Sequence, residues 1–282
     1  MIVVGILLAL GLAVAVLAST RRMDRRAGRA EWRRLAALQP AAPERFEPAM
    51  VADLPEPARR YFDFVIRPGA PLRTVAEIDM VGSFSLGSAQ DPAYRPMRAR
   101  QILAAPHGFV WAMRTRGGLR VAGSDSGIWT RFRVLGLIPV ARVGDDPDHA
   151  RSAFGRMVAE AVFWTPAALL PGPGVSWEPL GPDSARVTLC HGDASQAVDV
   201  TVDAAGRPVQ VVFERWSNAN PDRRWRLQPF GGRLSDFREV EGFRLAHRVE
   251  AGNGFGTPEY FAFYAVEVTA IRFVRPGGSA AR

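Results

Sequence analysis

No lysine occurs among the 282 residues, so every basic side chain is arginine. The pI near 10.9 therefore partly reflects the basicity of the guanidinium itself. Cysteine is almost as scarce. Cys190 stands alone, which excludes an internal disulfide and a metal site built from cysteines. Histidine is thin too: His107, His149, His191 and His247 fall in four separate segments with no H-x-H or H-E-x-x-H spacing. The G-x-S-x-G of a hydrolase is missing, and neither Gly117-Gly118 nor Gly231-Gly232 has the strand–loop–helix setting of a phosphate cradle. Cys190 and His191 adjoin on a strand and point to opposite faces, so they cannot easily share a proton. No catalytic residue, metal or cofactor is expected.

Basic charge is abundant but concentrated. Seven arginines lie between Arg21 and Arg34 against Asp24 and Glu31, and the net +8 leaves only about three positive charges for the rest of the chain. That thin spread argues against a nucleic-acid partner. With 48% hydrophobic and 23% charged residues, the chain can bury a real core.

Ile2–Ala18 is an unbroken apolar run of 17 residues, about 25 Å long as helix and close to the roughly 30 Å hydrocarbon core of a bilayer. It lacks a basic segment before it, so an uncleaved single-pass anchor (residues 1–20) in a bacterial cytoplasmic (inner) membrane is expected, with a cleaved signal as the alternative. Arg21, Arg22, Arg25 and Arg26 follow as a membrane-surface cluster. The positive-inside rule then places the body of the protein in the cytoplasm. Residues 21–47 are expected to be an Arg-rich juxtamembrane helix and a linker; the helix, with Trp32, Leu35 and Leu38 among its arginines, either lies against anionic headgroups or is solvated. Pro40–Pro48 reads as the linker.

Residues 48–275 read as one β-rich domain and 276–282 as a loose tail. Leu54–Ile66 has Tyr61, Phe62, Val65 and Ile66 at helical steps and is expected on the rim of that domain. From Leu72 the period changes to two, with Ile78, Met80, Gly82, Phe84 and Leu86 on one face and Glu77, Asp79, Ser83 and Ser85 on the other. Short segments of this kind recur across turns at Pro106-His107-Gly108 and Asp125-Ser126-Gly127, giving about six strands. About five more follow residue 186, ending in Tyr260–Val274. Phe261, Phe263, Tyr264 and Val266 occupy both faces of that last strand, so half of it should be buried on both sides. Connections this short require antiparallel pairing.

Between the two strand blocks lies Asp146–Pro171, the one long helical pattern. Asp146 can cap it, Pro147 suits its first position, and Phe154, Met157, Val158, Ala161, Val162 and Thr165 form an apolar stripe. Phe163 and Trp164 lie off the stripe, so protein should cover this helix on more than one side. Glu160 sits at the stripe's edge with Arg156 one turn before it. A carboxylate there needs a partner, either Arg156 or an arginine from the sheet. The sharper reading has Glu160 and a sheet arginine fixing a ligand's polar head.

The run Glu160–Pro171, with Trp177 beyond it and Gly231–Gly242 later, resembles an uncharacterised bacterial domain family over roughly Pro48 to Val274. The layout in turn is similar to the lipoprotein-carrier (LolA/LolB-type) architecture. That resemblance implies a mainly β (α+β) fold: a curved antiparallel sheet, an unclosed β-barrel of about 11 strands, with a central helical insertion on its concave side. It also implies an extracytoplasmic body, against the charge rule, and an apolar ligand held between sheet and helix. Seven tryptophans and sixteen phenylalanines suit either a filled core or a cavity. The cavity reading takes Trp111, Met113, Phe132, Glu160, Trp164 and Phe263 as its lining. The expected function is thus a membrane-tethered binding or carrier domain whose partners are the lipid bilayer and an apolar or amphiphilic small molecule. A membrane-associated hydrolase or isomerase and an envelope scaffold are the alternatives.

Overall fold

The computed structural model describes residues 2–118 and 120–275. Leu119, expected to open the fourth strand, and the tail Pro276–Arg282 lie outside the described residues.

The first strand block gives six strands: β1 (Ala76–Ser85), β2 (Tyr94–Ala104), β3 (Gly108–Thr115), β4 (Val121–Ser126), β5 (Trp129–Val134) and β6 (Ile138–Gly144). The second gives seven: β7 (Val175–Pro179), β8 (Ser184–His191), β9 (Ala194–Val202), β10 (Pro208–Ser217), β11 (Arg226–Val240), β12 (Phe243–Asn253) and β13 (Phe261–Phe273). Each strand pairs antiparallel with the next, and β13 pairs with β1, so one 13-stranded sheet runs β6-β5-β4-β3-β2-β1-β13-β12-β11-β10-β9-β8-β7. The total exceeds the expected eleven or so. The least legible strand, β7, is five residues long, ends at Pro179 and lies between turn-forming segments.

Strands β6 and β7 are the free edges, and the sheet does not close. The helix α3 (Pro147–Trp164) leaves β6 and, through a short 3-10 turn at Pro166–Leu169, leads to β7. It therefore joins the two edges across one face. Along the way it touches β2 and β3 on one side and β9, β10 and β12 on the other. Strands β3 and β9 are seven places apart, about 34 Å in a flat sheet at ~4.8 Å per strand. One helix reaches both only because the sheet curves around it.

Asp146 caps α3 by accepting from the backbone N–H of Asp148 (2.9 Å) and His149 (3.2 Å). The helix is buried on several sides, with Phe163 and Trp164 as deep as Met157 and Val162. At Gly155 a methyl group would stand 2.6 Å from the Gln196 side-chain oxygen and 3.2 Å from the Phe213 ring, so glycine is what lets α3 seat against β9 and β10.

Three expectations about the flanking pieces are corrected. The helix α2 (Glu56–Val65) is not on the rim: Tyr61, Phe62, Val65 and the following Ile66 are fully buried in the main core. The Tyr61 hydroxyl donates to the Val162 carbonyl at 2.7 Å, which ties α2 to the last turn of α3. The segment Pro40–Pro48 is not a free linker, because Phe46 is buried and its N–H donates to the Ala70 carbonyl at 2.9 Å. The last strand is not buried on both faces. On β12 two steps separate Ala251 from Asn253, whereas their partners Tyr264 and Phe261 on β13 are three apart. This bulge adds one residue to β13 and breaks the alternation there, so Phe263 and Tyr264 face the same interior.

The N-terminal helix α1 (Ile2–Ala36) is continuous. Its apolar first half is exposed and, by length and composition, is enough to cross a membrane. Its second half packs against the domain. Leu35 is fully buried with Val75, Ile102, Ala104 and Val110, and the Trp32 indole N–H donates to Glu77 at 2.7 Å. The Arg-rich stretch is thus not wholly solvated. One face docks on the sheet, while Arg22, Arg25 and Arg26 remain exposed and Arg21 lies beside Gly136.

Candidate functional site

The curved sheet and α3 border a partly open cavity of about 650 Å³. That is within the roughly 300–1,000 Å³ of small-molecule pockets. Trp111, Met113, Phe132, Glu160, Trp164 and Phe263 all line it. Strand alternation accounts for most of these positions: Trp111 and Met113 on β3, Phe132 and Val134 on β5, and Val211 and Phe213 on β10 are two apart and face inward. Phe263 lies outside the regular alternation and reaches the cavity at the β13 bulge. Its ring meets Phe84 at 5.7 Å and Phe230 at 6.0 Å between centroids. The lining is overwhelmingly apolar.

One side of the cavity carries charge. Arg156 donates from Nε to Glu160 (2.7 Å) and from its terminal nitrogens to Asp125 (2.8 Å) and Gln101 (3.3 Å). Gln101 donates to the other Glu160 oxygen at 2.5 Å, and the Thr130 hydroxyl to the other Asp125 oxygen at 2.6 Å. Each of the four carboxylate oxygens thus accepts a hydrogen bond. The Arg156 guanidinium also lies over the rings of Phe109 (4.7 Å) and Trp111 (5.3 Å). Burial alone would drive off its proton, but Glu160 and Asp125 outweigh that and hold its pKa well above the ordinary value.

A second arginine completes the group. Arg215 continues the inward register of Val211 and Phe213 on β10 and faces the cavity. Its Nε donates to Ser152 on α3 at 3.3 Å, and its guanidinium lies 4.8 Å from the Phe230 ring. Burial and then repulsion from Arg156 bring its pKa down to about 10, against the pull of Asp125 and Glu160. Burial likewise pushes the Tyr264 phenol well up.

Chemically, the set suits positioning better than proton transfer. All four carboxylate oxygens already accept hydrogen bonds, and every Arg156 nitrogen has a partner. His149 is nearby, 4.0 Å from Asp125, but its Nε2 lies 3.1 Å from the Ser126 carbonyl. Cys190 is exposed and meets Ser195, and His191 meets His107 ring to ring at 5.0 Å between two turns, so no Cys–His pair forms. Among the described residues, no group of three or more His, Cys, Asp or Glu side chains is placed to hold a metal ion.

Sequence reasoning located Glu160 and its partner Arg156, and asked for a sheet arginine without naming it. It missed Gln101, Asp125 and Arg215. Asp125 reads as a turn residue beside Ser126-Gly127 but belongs to β4. The available signal for Arg215 was the two-residue step from Val211 and Phe213, an arginine where the register calls for an apolar side chain.

The strand β5 works on both faces. Thr130, Phe132 and Val134 line the cavity, while Arg131 and Arg133 turn outward to α1. There Asp24 binds Arg131 (3.4 Å), Arg133 (2.5 Å) and Arg142 of β6 (2.9 Å). The cavity wall is therefore fastened to the helix six residues beyond its apolar run. The adjoining β5–β6 hairpin exposes Leu135, Ile138 and Val140 at 64%, 52% and 57%.

No curated protein sequence matches the chain. Among solved structures, a LolA superfamily protein from Nitrosomonas europaea is 12% identical, with a TM-score of 0.40 over 71% of this chain and 86% of that one. A DUF1329 family protein from Desulfovibrio piger is 8% identical, with a TM-score of 0.39 over 71% and 86%. At the level of sequence, residues 44–265 match DUF6544, a family of unknown function, and the chain belongs to that family.

Proposed function

We propose that this protein is a membrane-tethered binding domain that holds a lipid or other apolar molecule between its curved sheet and α3, exchanging it with the bilayer in which α1 is anchored. The observation that carries this reading is the cavity of about 650 Å³ in the middle of the fold, lined by aromatic and aliphatic side chains. A filled interior would have favoured a scaffold. The fastening of β5 and β6 to α1 through Asp24 adds a route, since it sets an apolar hairpin at the cavity's edge close to the end of the membrane-spanning run. The exposed Arg22, Arg25 and Arg26 suit anionic headgroups at the same level.

The test uses the full chain in nanodiscs of zwitterionic lipid with a diazirine-bearing long-chain alcohol. After irradiation, mass spectrometry should find the label on β3, β5 and β13 peptides containing Trp111, Phe132 and Phe263. Labelling confined to α1 and the outer hairpin would overturn the reading. A reporter fused to the C-terminus gives the side of the membrane.

A further inference from the structure

Arg215 is the cation of this interior that its surroundings leave unanswered. Among the described residues, its guanidinium makes one hydrogen bond, from Nε to Ser152, and forms no ion pair. The carboxylates nearest in charge, Asp125 and Glu160, act on it only through space, because Arg156, Gln101 and Thr130 occupy each of their oxygens. Arg156, whose three nitrogens all have partners, repels it. Two terminal amino groups, a fork of donors suited to a planar or tetrahedral oxyanion, thus border an apolar cavity without an acceptor.

Placement strengthens the argument. Ser152 orients the guanidinium from α3 and the Phe230 ring lies against it at 4.8 Å, so the side chain is positioned from two elements. Beyond Phe230 the lining continues through Phe263 and Phe84, whose rings meet edge to face in sequence. A molecule with a compact acidic end at Arg215 and an apolar body along those rings would match both parts of the surface.

We infer that the cavity takes an anionic amphiphile, with Arg215 binding its carboxylate or phosphate head and the Phe230–Phe263–Phe84 wall receiving its chain. This rests on the binding reading above and narrows it to a ligand class. A long-chain fatty carboxylate and a single-chain phosphate monoester share the needed chemistry.

The experiment compares photoactivatable palmitic acid, its methyl ester and a photoactivatable single-chain phosphate monoester, each in nanodiscs of zwitterionic lipid carrying the full chain. Wild-type protein should label cavity peptides about ten- to hundredfold more with an acidic probe than with the ester, the range expected for hydrogen bonds to a charged group. Whichever acid labels more strongly identifies the head. R215M should abolish the preference while still taking up the ester, and R215K should retain part of it; the ester's cavity labelling shows that the variant is folded. Equal labelling by acids and ester in wild type, or an undiminished preference in R215M, would overturn the inference and leave apolar binding standing. Absence of cavity labelling by every probe would overturn both.

Discussion

Two arginines on different elements, Arg156 on α3 and Arg215 on β10, border one cavity and should respond oppositely to removal. Arg156 is the hub of a closed network, so R156M strands two partly buried carboxylates and should destabilise the ligand-free protein by about 3 kcal/mol. Arg215 is charged among apolar side chains with one neutral partner, so R215M should raise stability by about 1 kcal/mol. Urea unfolding reads both. The pH dependence follows from the proton that Arg215 holds less tightly when folded, at about 10, well below the ordinary value of an arginine. Between those values the unfolded chain binds more protons, so wild-type stability gains with rising pH relative to R215M and the gap between them narrows. A gap unchanged across that window would mean Arg215 is solvated like a surface residue. The pair Arg156–Glu160 was legible because a four-residue step fixes neighbours on a helix. Arg215 was not, because nothing in one sequence says which strand lies opposite α3.

At the scale of elements, regular alternation was readable and its interruptions were not. Strand β1 could be placed from Ile78, Met80, Gly82 and Phe84, all at even positions. The bulge in β13 escaped because it depends on pairing with β12, and β7 because five residues ending in proline carry little pattern. The second half of α1 misled for a different reason: Trp32, Leu35 and Leu38 among arginines describe a helix with one apolar face, and a sheet or a bilayer could equally cover it. Here the sheet does, and Asp24 extends the docking to the hairpin. D24A leaves Arg131, Arg133 and Arg142 facing one another with no acid between them. Their repulsion should free the β5–β6 hairpin from α1 at a local cost of about 3 kcal/mol. Hydrogen exchange should then accelerate on order of a hundredfold in β5 and β6 and remain unchanged in β8 and β9. Acceleration spread evenly over the sheet would show that Asp24 supports the whole fold instead of this joint.

For the whole molecule, the question is why an interior so rich in large side chains stays hollow. Composition could not answer it, since the same phenylalanines and tryptophans fill a core or line a cavity. The answer lies in small residues at facing positions. Gly232 on β11 pairs with Ala251 on β12, both line the cavity, and Ala159 lines it from α3. At Gly231 and Gly232 the backbone is crowded: a methyl group would fall 2.8 Å from the Phe255 ring or 2.5 Å from the Glu250 carbonyl, so those positions cannot simply be enlarged. Ala251 is the better place to intervene, because its side chain adjoins open volume. A251F should project a ring into the cavity, adding apolar contact where there was none, and the midpoint of thermal unfolding should hold or rise. Uptake of the apolar probe should fall more than tenfold in the same protein. Because α3 ties the two edges of the sheet together, the curvature that makes the cavity cannot relax to admit both ring and ligand. If A251F keeps its stability and still labels at the wild-type level, the hollow is not where the ligand sits, and the exposed hairpin beside α1 becomes the surface to which the label must be traced.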